Sequence, residues 1–569
     1  MEASSSPPAK SGAMRRFGPI IALVAVVAII AAIVVVKGGK SDSGSSSTAT
    51  TVATNTRAGA VSWADAQAAG TTGSINWGPR CNTETGRLMY PSYFAGQCYA
   101  PFSGDNGGTT ATGVTATSIK VVFYQAQESD PVLNYITSAV KVEDTNAQVA
   151  DTMKKWMEFY NYFYETYGRK VELVPFVATG ASTDEVAARA DANTIAEDIK
   201  PFAVFGGPIL ATSFGDELAA RKVLCISCGP GATYDYFDKA SPYLWGLTIL
   251  PVQAQEHVVE YLSKQLNGAN ASHAGDPTLQ NQKRSFGMVY ISTGADSEKA
   301  MDVFEQNLKD NGVTLAARVA YKSPVDLQTD SSGVIAKLKS AGVTSVLFSG
   351  DPIAPQPLTL AATTQEYFPE WIVTGSVLVD TAAFSRTYDQ KQWAHAFGVS
   401  FGAARTDPNT SGTKFLYRWF FGSEAASKQA AATSVINPGL LFPVLQGMGP
   451  NVTAQNFKDA LFAASPTTHA ITAPSLSYGN KGYWPQPDYV GVDDGTEVWW
   501  NPTVAGQDEI ERPGVGLWEY VNGGTRYLPG EWPTEPSKAF DPTGAVTFYN
   551  PAPASEQVPN YPPCPTGCH

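Results

Sequence analysis

The sequence predicts a two-lobed α/β fold in which parallel sheets are flanked by helices, and three observations carry that prediction. From residue 119 onward, short apolar runs of strand length alternate with segments of helical spacing. Near residue 252 the same alternation starts again. The 569 residues also exceed what one simple core organises. A strand that is apolar throughout is buried on both faces, as in a parallel sheet covered by helices. Strand–helix–strand alternation is how such sheets are connected.

The elements follow in order. Residues 119–124 (IKVVFY) form the first strand. Residues 146–167 carry Val149, Met153, Trp156, Tyr160 and Tyr164 at helical spacing, and Gly168 stands where a helix stops. A second strand at 171–177 leads to a helix opened by Thr183-Asp184-Glu185. A strand at 201–205, a helix at 212–221 and a strand at 223–227 complete the first half. The second half places helices at 252–266, 297–310 and 333–340 among strands at 286–291, 315–321 and 345–348, and closes with a further helix and a strand at 371–374. Ligands of such sheets bind beyond the carboxyl ends of the strands. With two α/β units, the expected site is the cleft between them.

Composition narrows the function classes. A formal net charge of −13 argues against nucleic acid as a partner, since phosphate binding needs a basic surface. Residues 17–36 are uncharged and long enough to cross a bilayer as a helix. Arg15 and Arg16 precede them and a Gly/Ser/Thr-rich stretch follows, so the expected arrangement is a single-pass signal anchor with an extracytoplasmic body, a secretory signal cut after the span being the alternative. The expected organisation is a cytoplasmic N-terminus (1–16), the anchor (17–36), and a linker with a Cys-containing extension (37–115). Lobe one (116–250) and lobe two (251–380) follow, then return segments completing both (381–502) and a Pro/aromatic-rich extension (503–569).

The six cysteines fall as close pairs: Cys81 with Cys98, Cys225 with Cys228, and Cys564 with Cys568. An even count in an exported chain favours disulfides. For Cys225-Ile226-Ser227-Cys228, a structural disulfide, buried free thiols and a redox or metal motif all stay open. The five histidines are scattered, and no metal site or cofactor is expected. No G-x-S-x-G, H-E-x-x-H or phosphate-binding Gly-rich motif is present, so no catalytic residue is assigned and an enzyme is not expected.

From about residue 118 to 502 the chain resembles the type I periplasmic-binding fold, and more closely the branched-chain amino-acid-type substrate-binding proteins of ABC transporters. The resemblance is carried by the order and spacing of GRKVELV (168–174), the helix from Asp184 to Ile199, AVFGGP (203–208), VLCISCGPGAT (223–233) and YLWGLT (243–248), with 471–500 similar to the family's closing stretch. It implies a receptor for a small amino-acid-like molecule, with an ABC permease as a possible partner. A surface sensor or structural protein on the same fold is the alternative. It further implies ligand contacts from Pro208, Thr212 and Ser213, from Gly231, Ala232 and Thr233, and from Ser292, Thr293 and Asp351 of lobe two. Thr233 and Asp351 are also ordinary turn and cap residues by type. Three features depart from the family pattern: the long, acidic first loop at 125–145, the CxxC, and the C-terminal extension.

Overall fold

The computed structural model describes residues 59–564, apart from 141–143, 229–230, 232 and 468–469. The expected anchor at 17–36, together with Ala232 and Cys568, lies outside the described residues. Among those described, no helix is long and apolar enough to cross a membrane.

The first lobe is built on β1 (Ser118–Gln125), β2 (Lys170–Val177), β3 (Ala203–Phe205), β4 (Leu224–Ile226) and β5 (Leu244–Trp245). Their order across the sheet is β2-β1-β3-β4-β5, and every pair is parallel. The second lobe repeats that order with β6 (Phe286–Ile291), β7 (Leu315–Tyr321), β8 (Ser345–Ser349), β9 (Glu370–Thr374) and β10 (Ala396–Ser400), arranged β7-β6-β8-β9-β10 and again parallel. At the β10 edge the sheet continues antiparallel through β11 (Gly495–Gln507), which pairs with both β12 (Pro513–Tyr520) and β13 (Arg526–Tyr527). The second sheet therefore runs past residue 502 into the C-terminal extension.

In the first lobe, α1 (Pro131–Val140), α2 (Asn146–Phe163), α3 (Glu185–Thr194), α4 (Ser213–Ala220) and α5 (Tyr234–Ala240) join the strands. The segment 125–145, expected as a loop, thus contains a helix. Pro131 at its start follows Asp130, whose carboxylate accepts from the amides of Val132 (3.0 Å) and Leu133 (2.9 Å), so a capped N-terminus sits inside a stretch that reads as acidic loop. Helix α2 starts on a Thr145/Gln148 capping box and buries Trp156, Phe159 and Phe163 in the lobe-one core. In lobe two, α6 (Pro251–Tyr261), α7 (Ala295–Asp310) and α8 (Leu327–Ser340) take the crossover positions. The chain then returns to lobe one for α9 (Gly412–Phe421), α10 (Ile436–Met448) and α11 (Ala454–Ala463), whose apolar residues join the lobe-one core.

Residues 59–115 pack on lobe one. Cys81 is paired with Cys98, the Tyr90 and Tyr164 hydroxyls meet at 2.8 Å inside the core, and buried Arg169 donates to the carbonyls of Thr115 (2.7 Å) and Pro450 (2.8 Å). Three crossovers, at 246–250, 401–411 and 464–494, form the hinge. Two of them run together: the Gly246 amide donates to the Tyr489 carbonyl (2.8 Å) and the Tyr478 hydroxyl to the Gly246 carbonyl (2.9 Å).

Candidate functional site

The carboxyl ends of both parallel sheets face the same seam between the lobes. Three contacts place it. The Thr233 hydroxyl, after β4, donates to Asp296 Oδ1 at 2.8 Å in the first turn of α7, after β6. Gln328 Nε2, after β7, donates to the Tyr135 hydroxyl at 2.6 Å on α1, after β1. Ile136 of the same helix packs into the lobe-two core, and Tyr135 and Ile209 lie against it.

Residues expected at the site from the sequence are found in three settings. Thr233 caps α5, accepting from the Tyr236 amide at 3.4 Å, while its hydroxyl hydrogen serves Asp296. Gly231 lies against the rings of Tyr236 and Phe237 so closely that no side chain fits there. Cys225 and Cys228, both buried beneath this loop, are paired with each other. Pro208 is buried in the loop after β3. Thr212 and Ser213 begin α4, but their amides already point at a carboxylate of the same lobe: Glu185 accepts from Thr212 N at 3.3 Å and Ser213 N at 3.0 Å, and the Ser213 hydroxyl donates to the Glu185 carbonyl at 2.8 Å. Desolvation works against the Glu185 charge, yet hydrogen bonds from Ser213 and Thr212 and the nearby Arg189 hold it below the usual carboxylate range. The helix end that would attract a ligand anion is thus occupied by the protein itself.

In lobe two, Ser292 and Thr293 form the turn into α7. The Ser292 amide donates to the Tyr321 carbonyl (2.8 Å) and the Thr293 amide to Ser297 Oγ (2.9 Å). Asp351 opens the turn after β8. Its Oδ1 accepts from the amides of Ile353 (2.9 Å) and Ala354 (3.0 Å), and its Oδ2 from the Tyr321 hydroxyl at 2.6 Å. Burial raises its pKa despite those three donors. Burial also raises Tyr135, and the Asp351 charge adds to that across the seam. Tyr135 falls in the segment read as a loop, Asp296 and Gln328 precede the predicted helices at 297–310 and 333–340, and Glu185 reads only as the opening of a helix; the strand ends that precede them are the one signal that points there.

A second cluster lines the hinge. Burial pushes Asp488 up to about 7, against donation from Val490 and Gln253, and pushes Glu256 up to about 7 as well. Asp493 is raised by burial and by Asp488 beside it, although Trp484 Nε1 donates to it at 3.0 Å. Arg526 pairs with Asp494 at 2.9 Å, both side chains being buried. His257 accepts from Trp532 Nε1 at Nδ1 (2.9 Å), so its other nitrogen donates to the Asp493 carbonyl (3.0 Å); burial lowers its pKa to about 4 and keeps it neutral. Among the described residues, no group of three His, Cys, Asp or Glu side chains could hold a metal ion.

No family model matches the chain, and no curated protein matches it. Solved structures align with it over most of their own length. The branched-chain amino acid transporter substrate-binding protein of Streptococcus pneumoniae, in complex with isoleucine, is 14% identical with a TM-score of 0.45, covering 71% of this chain and 100% of its own. A solute-binding protein of an ABC transporter from R. palustris, in complex with 4-hydroxybenzoate, is 12% identical with a TM-score of 0.48, covering 73% and 98%. A fatty acid ABC transporter substrate-binding protein from Thermomonospora curvata is 14% identical with a TM-score of 0.48, covering 74% and 98%. No residue role is carried across at these values. Two parallel sheets of one strand order, joined by three crossovers and meeting at their carboxyl ends, give this chain the type I periplasmic-binding fold.

Proposed function

We propose that this chain is an extracytoplasmic solute-binding receptor, not an enzyme, that takes a small amino-acid-like molecule into the cleft between its lobes for ABC-type uptake, tethered to the cell membrane through residues 17–36. The observation that carries the reading is the meeting of both sets of strand ends across one seam, bridged by Thr233–Asp296 and Tyr135–Gln328. Asp351 and Asp296 supply carboxylates suited to an ammonium, and the Thr233 hydroxyl, given to Asp296 in this arrangement, becomes a donor for a ligand carboxylate when the seam opens. Native mass spectrometry of protein purified without denaturation tests it: a bound small molecule released on unfolding is expected, and a chain that carries none and takes up none from a panel of amino acids contradicts it.

One observation favours the alternative, a surface sensor or structural protein on the same fold. The seam is bridged by the protein's own side chains, and α1 from lobe one is seated on the lobe-two core. In that case the gene would lack permease and ATPase neighbours.

A further inference from the structure

We infer that residues 547–564 form a strap that ties the lobes together across the hinge and limits how far the cleft opens. The segment starts on lobe two, where Val546 exchanges backbone hydrogen bonds with Tyr520 of β12 (2.8 and 3.0 Å) and the Tyr549 hydroxyl donates to the Gly523 carbonyl at 2.7 Å. It next meets one hinge crossover. Phe548–Tyr549 pairs in parallel with Arg405–Thr406, the Asp407 amide donates to the Tyr549 carbonyl (3.2 Å), and Asn550 Nδ2 donates to Asp407 Oδ2 (3.1 Å). It then meets another: the buried Glu556 carboxylate accepts from the Ile471 amide at 2.6 Å and from Thr472 through both amide and hydroxyl.

The segment ends on lobe one. Trp419 Nε1 of α9 donates to the Tyr561 carbonyl at 3.1 Å, the Cys564 amide donates to the Trp419 carbonyl at 3.2 Å, and Asn82 Nδ2 donates to the Tyr561 hydroxyl at 3.1 Å. Tyr561 and Cys564 rest against the lobe-one core.

Between these anchors most of the segment is exposed, so it is no part of either core. Its one buried carboxylate is spent on a hinge crossover. A chain fastened to both lobes and to two of the three crossovers must give up an anchor before α9 can move away from β12. A lobe rotation that opens the seam is therefore limited by the strap, in addition to the three covalent crossovers.

Hydrogen exchange of the full chain tests this against two variants, one ending at residue 546 and the double substitution Glu556→Ala with Tyr561→Ala. Severalfold faster exchange is expected at the seam, in peptides covering 233–240 and 292–300, with protection of β1 and β6 unchanged. Unchanged seam exchange in both variants overturns the strap. So does loss of protection in β1 and β6 in both variants, because the segment would then belong to the folding core. If the truncation alone loses that protection, the double substitution decides.

Discussion

Two regions join the lobes, and they are built in opposite ways. At the seam, beside the seating of Ile136 on the lobe-two core, the polar contacts run from the part-buried Thr233–Asp296 bond through Tyr135 with Gln328 to Lys299 with Asp235 at 2.9 Å, whose side chains are 59% and 50% exposed. At the hinge the joining groups are buried: Arg526 with Asp494, His257 between Trp532 and Asp493, and Asp488 within the 464–494 crossover. Exposed pairs add little to stability, whereas a buried charge stripped of its partner is expensive. On the proposed function, that difference assigns opening to the seam and holding to the hinge, and the predictions below are ways to break that contrast.

The largest effect is expected at the hinge. Arg526→Met leaves the buried Asp494 carboxylate without its cation, and the cost is about 3–5 kcal/mol, read as a fall in the unfolding midpoint in urea. A small change would mean that the hinge is no firmer than the seam.

The next effect is one of pH. The buried carboxyls of Asp488 and Glu256, pushed up to about 7, keep protons in the folded chain that the unfolded chain has released. Their stabilisation is complete below the ordinary carboxylate pKa and is lost as the pH rises through about 7. His257 works the other way, losing stability only as the pH falls below its ordinary 6.5. Melting temperature is therefore expected to fall between pH 6.5 and about 8, where the histidine no longer contributes. Asp488→Asn should make that fall shallower, and an identical slope in the variant would remove Asp488 as its source.

Smaller changes are expected at the seam. Thr233→Val removes the α5 cap and the bond to Asp296, costing about 1 kcal/mol. A double-mutant cycle with Asp296→Ala should show coupling between the two positions, and strict additivity would dissolve the contact. If Thr233 also holds the cargo, its loss weakens binding roughly 10- to 150-fold by calorimetry. The smallest effect belongs to Lys299→Ala, for which no measurable change in melting temperature is expected; a large drop would show that the exposed pair is a structural bridge.

How much of this was legible in the sequence follows from the kind of signal each element carries. Strand 286–291 has the bounds its sequence predicts because an apolar run buried along its length is local and unambiguous, and the edge strand 315–321 has its predicted bounds although residues within it are exposed. Helix α1 differs from the loop the sequence predicts because its signal is only a cap and a proline inside a stretch that otherwise reads as loop. The continuation of the second sheet through β11 and β12 straddles the boundary drawn at 502 between the return segments and the Pro/aromatic-rich extension, because Gly and Pro interrupt these antiparallel strands and their second halves lack a buried run. At the site, motif order located the loops at the strand ends but not their chemistry. Thr212 and Ser213 face Glu185, and Asp351 faces Tyr321; these pairings join residues far apart in the chain, and no spacing rule encodes them.

The most direct test of the central claim is a crystal structure of the protein with the molecule it carries from the cell, identified beforehand by its mass. The expected result is a small molecule between the lobes that contacts the 227–233 loop on one side and the 292–296 or 350–354 loop on the other. A molecule bound to one lobe alone, or outside the seam, would contradict it.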